Sequence, residues 1–521
     1  MAIDLLKLQR SPRDVAQWQK AQQHVVSERY AQALPVYREL VKRFPGVEQL
    51  WFELGLAATG ELEFELAVQA FTRAEQLASG DSAFQILLGQ QFHRLRRQDR
   101  ARTCFEKAVQ ADGSSVNARL SLAAWYERER RLEDAWASVE ACLAKYPQSC
   151  QALCFKALLL HRKGQNPESE VLLRNLVKCD TPDPNVRISS RHLLALVLDQ
   201  LGQYNEALHW LSESKNLLGQ TANVAKMGQD YDRADRFRRD LLATITPEMI
   251  RNWRSEFPPA ANSNTLVLLG GHPRSGTTLL EQILGAHPGI RALDESEAFV
   301  QEVWHRLVPM HATQPFKLRE LDALSVAQRT RMRERYFKSL LREVEGTLKG
   351  QVLLDKNPSP TAALHLWLRV FPEVKVIIAL RDPRDVVISC FFQNLMLTPT
   401  NANFLNLERT VRHYADLMDV WLRLRELGGF DWIESRYEDL VQDVEAEGRR
   451  VTEFCGLSWD NAQGSHREIA RNKVLFAPTF SDVAKPIHKR AIGRWQNYAE
   501  ALAPFQSQLA HYCKAFGYTV S

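Results

Sequence analysis

Residues 270–284 read GGHPRSGTTLLEQIL. They follow the apolar run LVLL at 266–269 and open into a pattern of helical period. Gly271, four residues, then Gly276, Thr277 and Thr278 come within one residue of a phosphate-cradling loop, but Thr277 stands at the lysine position and Arg274 lies inside the loop. Glycines at 270, 271 and 276 let the backbone curl and aim its N–H groups inward, and a helix starting near Thr277 adds its positive dipole end. The hydroxyls of Thr277 and Thr278 can donate to the same oxygens. A triphosphatase needs the loop lysine on the β- and γ-phosphates. Its absence disfavours that chemistry and leaves a phosphate or sulfate group as the expected ligand.

The rest of the second half agrees with this reading. Apolar runs at 352–354, 374–380 and 430–433 read as buried strands, and amphipathic stretches such as 405–427 lie between them. The alternation predicts an α/β domain over 265–521 with a central, mainly parallel sheet, whose ligands sit at the carboxyl ends of the strands. Arg381, Asp382, Arg384 and Asp385 follow one such strand, where a charge cluster is better placed for an anion than on an open surface.

The first half is periodic. Ala33, Ala67, Ala101, Ala135, Ser169 and Ala207 form one column, spaced by 34 residues four times and then by 38. Twelve positions earlier stands a second small column, from Ala21 through Gly55, Gly89, Ala123 and Ala157 to Ala195. Four positions later stands a bulky one, from Tyr37 through Phe71, Phe105, Val139 and Leu173 to Leu211. Small residues let antiparallel helices approach, and the bulky column is expected to fill the groove toward the neighbouring hairpin. Pro45, Gly113 and Pro147 mark turns, and the insertion CDTPDPN precedes the last repeat.

The period and small-residue pattern resemble the tetratricopeptide repeat over about residues 14–218, roughly six repeats forming an all-α superhelix. The resemblance implies a protein or peptide partner at the concave face. A scaffold or homo-oligomer role is equally open, since the groove's ligand is not written in these residues. Residues 219–264 lose the period and read as a helical connector.

PRSGTT at 273–278 followed by AHPGIRALDES at 286–296 is similar to the sulfotransferase superfamily, nearest its tyrosylprotein branch. That resemblance implies 3′-phosphoadenosine-5′-phosphosulfate as co-substrate, with Arg274, Ser275, Gly276, Thr277 and Thr278 around the phosphosulfate. VKVIIALRDPRDVVIS at 374–389 matches the family element whose arginine and serine hold the 3′-phosphate, here Arg381 and Ser389. DKNP at 355–358 places Lys356 beside the sulfuryl group. SRYEDL at 435–440 puts Tyr437 on the adenine. KPIHKRAIGRW at 485–495 resembles the segment closing over the nucleotide. It departs from the family at Gly493, where a cofactor-binding serine is usual, and Arg490 and Arg494 are offered as compensating charges.

Transfer to a hydroxyl needs a base, because a phenol ionises only near pH 10. Asp294 and Glu295 follow the loop helix, adjacent residues point apart, and the family pattern selects Glu295, with Arg274 and Lys356 as catalytic cations. His272, His305 and His311 are the alternatives, ranked below it. The acceptor stays open between a protein or peptide tyrosine and a carbohydrate, lipid or small molecule, and a non-catalytic nucleotide-binding domain on a repeat scaffold is the alternative of a different class.

The bulk numbers fit a globular chain of two to four domains, 521 residues long, 45% hydrophobic and 25% charged, with a net charge of +5 that does not require nucleic acid. Eight scattered cysteines without metal spacing, no signal-peptide core and no apolar run of about 18 residues predict reduced thiols, no bound metal, no membrane span and a cytoplasmic location.

Overall fold

Helical hairpins succeed one another through the first part of the computed structural model, which describes residues 8, 11–27, 29–78, 80–179, 181–256, 264–307, 318–343, 350–465 and 489–520. The pairs are Pro12–Val26 with Tyr30–Arg43, Glu48–Gly60 with Phe64–Leu77, Ser82–Arg94 with Gln98–Ala111, Val116–Arg128 with Leu132–Lys145, and Cys150–Arg162 with Asn166–Lys178. Helices Pro184–Gln200 and Tyr204–Gly219 continue the series. The chain divides into two compact units between residues 197 and 198.

The three sequence columns are the buried seam. All six residues of the first column are fully buried, and the bulky column is at most 5% exposed. A Cβ built on Gly55 would stand 2.5 Å from the Phe71 ring, and one on Gly89 would stand 2.5 Å from Phe105. The bulky side chain therefore packs onto the small residue of its own hairpin, not only toward the next hairpin as the sequence suggested. Ser169, the polar member of its column, donates from Oγ to the Ala157 carbonyl at 2.8 Å, so its hydroxyl is satisfied inside the seam. The hairpin turns repeat a left-handed residue at the same period: Leu62, Arg96 and Arg130 have φ of 63°, 58° and 59°, and Gly164 follows at 79°. Three of these are not glycine, which is why composition did not reveal the turn.

The second unit is built on a five-stranded sheet. Its strands are β1 (Leu266–Gly271), β2 (Ile290–Asp294), β3 (Val352–Lys356), β4 (Lys375–Leu380) and β5 (Trp432–Arg436), in the order β2-β3-β1-β4-β5 with every neighbouring pair parallel. β1 is buried along its whole length at the centre, as an apolar run in a doubly covered parallel sheet must be. Val267, Leu269, Leu354 and Ile377 meet Leu280, Ile283 and Leu284 of the helix that follows β1, Thr277–Gly285. β2, with its short IRALD run, is absent from the strands expected from sequence. The order turns at β1, with β3 on one side and β4 on the other, so the crevice at their carboxyl ends is the switch point where such sheets bind ligands.

Residues read as a connector pack onto this layer. Tyr231 of helix Val224–Thr244 bonds His413 at 2.7 Å and Asp416 at 3.2 Å. Glu256 receives Arg329 at 2.8 Å and Arg369 at 2.9 Å. Among the described residues no helix is long and apolar enough to cross a membrane, and all eight cysteines are free thiols.

Candidate functional site

The loop after the central strand is assembled by close backbone approach. A Cβ on Gly271 would stand 2.4 Å from the Ala379 carbonyl oxygen of β4, so only glycine fits there. Thr361, fully buried, accepts the Gly271 N–H at 2.9 Å and donates back to the Gly271 carbonyl at 3.1 Å. It locks the entry to the loop, and nothing in its sequence context singled it out. Ser275 N–H donates to the His272 carbonyl at 3.1 Å, closing the turn. Gly276, at φ 90°, is the N-cap of helix Thr277–Gly285, and no side chain caps that terminus. Its first-turn N–H groups, which have no acceptor within the helix, are left to a ligand or solvent. Ser275 and Thr277 are buried and Thr278 is half-buried beside them.

Four of the expected residues converge on this loop. Arg274 donates from Nε to Ser389 Oγ at 3.1 Å. Arg381 donates to the Arg274 carbonyl at 3.2 Å and to the Ala491 carbonyl, and its guanidinium lies 5.2 Å from the Tyr437 ring centre. Tyr437 in turn occupies the space that a Cβ on Gly276 would need, 2.6 Å away. Ser389 is carried by helix Pro383–Phe391, whose N-cap Asp382 accepts the Arg384 N–H at 2.9 Å. Arg381 is 7% exposed, and its Nε has no hydrogen-bond partner among the described residues. A buried, unpartnered guanidinium donor beside an uncapped helix terminus fits an anionic ligand.

A second group stands at the ends of β2 and β3. Lys356 is fully buried, and its ammonium lies 3.2 Å from Glu295 Oε1 and 4.0 Å from Glu281 Oε2. Glu295 N–H also donates to the Lys356 carbonyl at 2.9 Å. The Glu295 side chain is 36% exposed, whereas that of Glu281 is 3% exposed. Arg291, the other cation near Glu295 in sequence, donates to Gln351 at 3.4 Å. Glu281 was missed because it sits inside an apolar helical run, where its one signal was the break in pattern.

Backbone strain marks the same place. Five described non-glycine residues have positive φ: three are the hairpin turns, and the other two are Arg274 at 76° and Glu295 at 52°. Left-handed conformations at such residues persist where the surroundings impose them, commonly at functional sites.

Asp385 fastens the C-terminal segment. It is 1% exposed and accepts the N–H groups of Gly493 and Trp495, both at 2.8 Å. Burial pushes its carboxyl up to about 6, against the pull of Arg381 at 3.9 Å. Gly493 has φ 71°, a backbone that a serine would adopt only under strain, which accounts for glycine at this position. Trp495 stacks on Arg384, whose guanidinium lies 3.7 Å from the ring centre.

The remaining candidates lie apart from these contacts. Arg494 is engaged by Asp199 at 3.0 Å and covers the Phe392 ring, and Arg490 is exposed. His272 is fully buried against Tyr414 and His413, and burial pushes it down to about 4, so it stays neutral and inaccessible as a base. His305 is half-buried and also shifted downward by burial. His311 lies outside the described residues, and the side chain of Asp294 is likewise not described.

Residues 267–461 match the sulfotransferase family model and residues 19–82 match a tetratricopeptide repeat model. The chain is 24% identical to protein-tyrosine sulfotransferase A of Caenorhabditis elegans over 45% of this chain and 61% of that protein. It is 25% identical to protein-tyrosine sulfotransferase 1 of Danio rerio over 44% and 65%. An uncharacterised protein of Aquifex aeolicus is 24% identical over 64% of this chain and 43% of its own length. The chain thus spans less than two thirds of the length of each of these relatives. Among solved structures, the sulfotransferase domain of the Synechococcus PCC 7002 olefin synthase aligns at 23% identity over 46% of this chain and 90% of that one, with a TM-score of 0.30.

Proposed function

We propose, taking as premises that residues 267–461 are a sulfotransferase-family domain and that tetratricopeptide repeats precede it, that this chain moves a sulfuryl group from 3′-phosphoadenosine-5′-phosphosulfate to an acceptor hydroxyl. One observation carries the reading. Arg274, Ser389, Arg381 and Tyr437 meet around a phosphate loop that lacks its lysine, while Lys356 and Glu295 meet at the end of the adjacent strand.

Each group has a task that its chemistry suits. The uncapped helix terminus and the hydroxyls of Thr277 and Thr278 receive the 5′-phosphosulfate. Arg381 and Ser389 take the 3′-phosphate through charged and neutral donors, and Tyr437 offers a ring for the base. Glu295 accepts the acceptor's proton as the new S–O bond forms. Lys356 and Arg274 receive the charge that appears on the departing phosphate oxygen as the old S–O bond breaks. The sulfuryl group carries less charge than a phosphoryl group, so these fixed cations suffice without a metal.

The acceptor we favour is a tyrosine hydroxyl of a protein or peptide, selected by the repeats. The names of the relatives and the usual peptide-binding role of such repeats support this. Calorimetry of the full chain with 3′-phosphoadenosine-5′-phosphate, beside ATP with magnesium, tests the premise. Binding of the bisphosphate and not of ATP is expected. Binding of ATP alone would return the loop to the triphosphate chemistry that its missing lysine disfavours, and binding of neither would remove the proposal.

A further inference from the structure

Among the described residues, the ammonium of Lys356 lies near two carboxylates of different exposure. Glu295 at 3.2 Å stands at the mouth of the site, while Glu281 at 4.0 Å is sealed in the protein. Glu281 comes from the second turn of helix Thr277–Gly285, one turn after Thr277 and on the same face, and both are buried. Its flanks are apolar: Leu280, Ile283 and Leu284 are the core of this helix. Gln282 donates to Glu281 Oε2 at 3.4 Å. A carboxylate in such a place is rare unless a buried charge holds it there. Lys356, at the end of β3 opposite Leu269 of β1 and Asp294 of β2, is that charge.

This arrangement answers a difficulty in the proposed chemistry. A base whose lone pairs face an ammonium is a poor base, and an ammonium whose single counter-charge takes up a proton is left uncompensated in a buried site. We propose that Glu281 is a positioning residue for sulfuryl transfer: it is a permanent counter-charge that helps hold Lys356 protonated and in place while Glu295 turns to the acceptor. The inference rests on reading the loop as the site of the phosphosulfate co-substrate. Glu281 touches no substrate. It acts through Lys356.

The test is the pH dependence of 3′-phosphoadenosine-5′-phosphate binding, measured by calorimetry on the full chain, wild type against Glu281→Gln and Lys356→Met. At about pH 6.5 the Gln variant keeps its ammonium and has lost a nearby negative charge, so it binds the bisphosphate at least as tightly as wild type. From there upward it loses more affinity than wild type, by a factor that approaches tenfold for each unit by which Lys356 releases its proton earlier, once pH exceeds both release points. Lys356→Met binds weakly and without that pH dependence, and adding Glu281→Gln to it changes nothing further. A Gln variant that tracks wild type at every pH, or is weaker by one constant factor throughout, overturns the role of Glu281 and leaves the co-substrate reading standing. Wild type that binds no bisphosphate overturns both. Should Glu281→Gln fail to fold, the variant that also carries Lys356→Met removes both charges and is expected to fold. Failure of that variant too would make Glu281 a packing residue and overturn the proposal.

Discussion

Asp385→Asn separates the electrostatics of this site from its packing. In the wild type the carboxyl is buried and moved from an ordinary 3.8 to about 6. At roughly 1.4 kcal/mol per pH unit, a shift of that size corresponds to about 2–3 kcal/mol. The direction follows from linkage. An acid whose folded pKa is raised binds more protons folded than unfolded between the two values. Its penalty is therefore fully present above about pH 6 and is relieved as pH falls toward 4. The asparagine has no such titration, although it keeps one oxygen to accept from Gly493 or Trp495. The stability of wild type minus that of the variant should consequently rise by about 2–3 kcal/mol between about pH 7 and about pH 4. Urea unfolding of both proteins at intervals across that range, followed by tryptophan fluorescence, measures the difference while cancelling the groups they share. Parallel curves would refute the reasoning and mean that water reaches Asp385. The variant should also bind 3′-phosphoadenosine-5′-phosphate more weakly at neutral pH, because one of the two N–H groups that Asp385 fastens in the C-terminal segment loses its acceptor.

Arg381→Ala removes the donors to Arg274 and Ala491 and the unpartnered Nε, so bisphosphate affinity should fall by about 1.5–3 kcal/mol, the range for charged hydrogen bonds; unchanged calorimetry would remove Arg381 from the site. Glu295→Gln should leave that affinity within about twofold and lower labelled-sulfate transfer by about 10²–10⁴, as loss of a general base does. Full activity would pass the role to another group, His305 or His311, since His272 is sealed in the core. Gly55→Ala forces a methyl to within 2.5 Å of the Phe71 ring, and overpacking should destabilise the first unit by about 1–3 kcal/mol, less the helix-propensity gain of alanine. Phe71→Leu in the same chain should recover part of that loss in a circular-dichroism melt, and no recovery would mean the two columns do not meet.

Much of this protein was legible from one sequence because its strongest signals are local or periodic. The repeat columns are set by how close two helices can come, and a small residue every 34 positions records that constraint directly. The loop is equally local: glycines where backbone meets backbone, threonines at a helix start and an arginine inside a loop that lacks its lysine are all written within fifteen residues. β1, β3 and β4 could be placed because buried parallel strands read as apolar runs, whereas β5, at the sheet edge, is buried only at Ser435 and overlaps the expected 430–433 run only at Trp432 and Ile433. β2 escaped because IRALD is short and mixed, and its strand character comes from pairing with β3. The left-handed turns at Leu62, Arg96 and Arg130 escaped because nothing in those side chains favours positive φ.

What tertiary structure decided is which charges meet. Arg381, Ser389 and Tyr437 could be named from motifs, but their meeting around Gly276 depends on β4 pairing with β1 and β5 with β4 in one parallel order. Thr361 and Glu281 carried no usable sequence signal, for a hydroxyl after a proline-rich turn and a glutamate in an apolar helix acquire meaning only from the Gly271 backbone and the Lys356 ammonium that the fold brings to them. Arg494 shows the converse, a cation suited to a nucleotide in sequence and engaged by Asp199, 295 residues away, in the fold. Sequence determines the chemistry each residue can offer and the short-range geometry of helix, strand and loop. Long-range electrostatic pairing and burial determine which of those offers are taken up, because both depend on the distance between groups that only the folded chain sets.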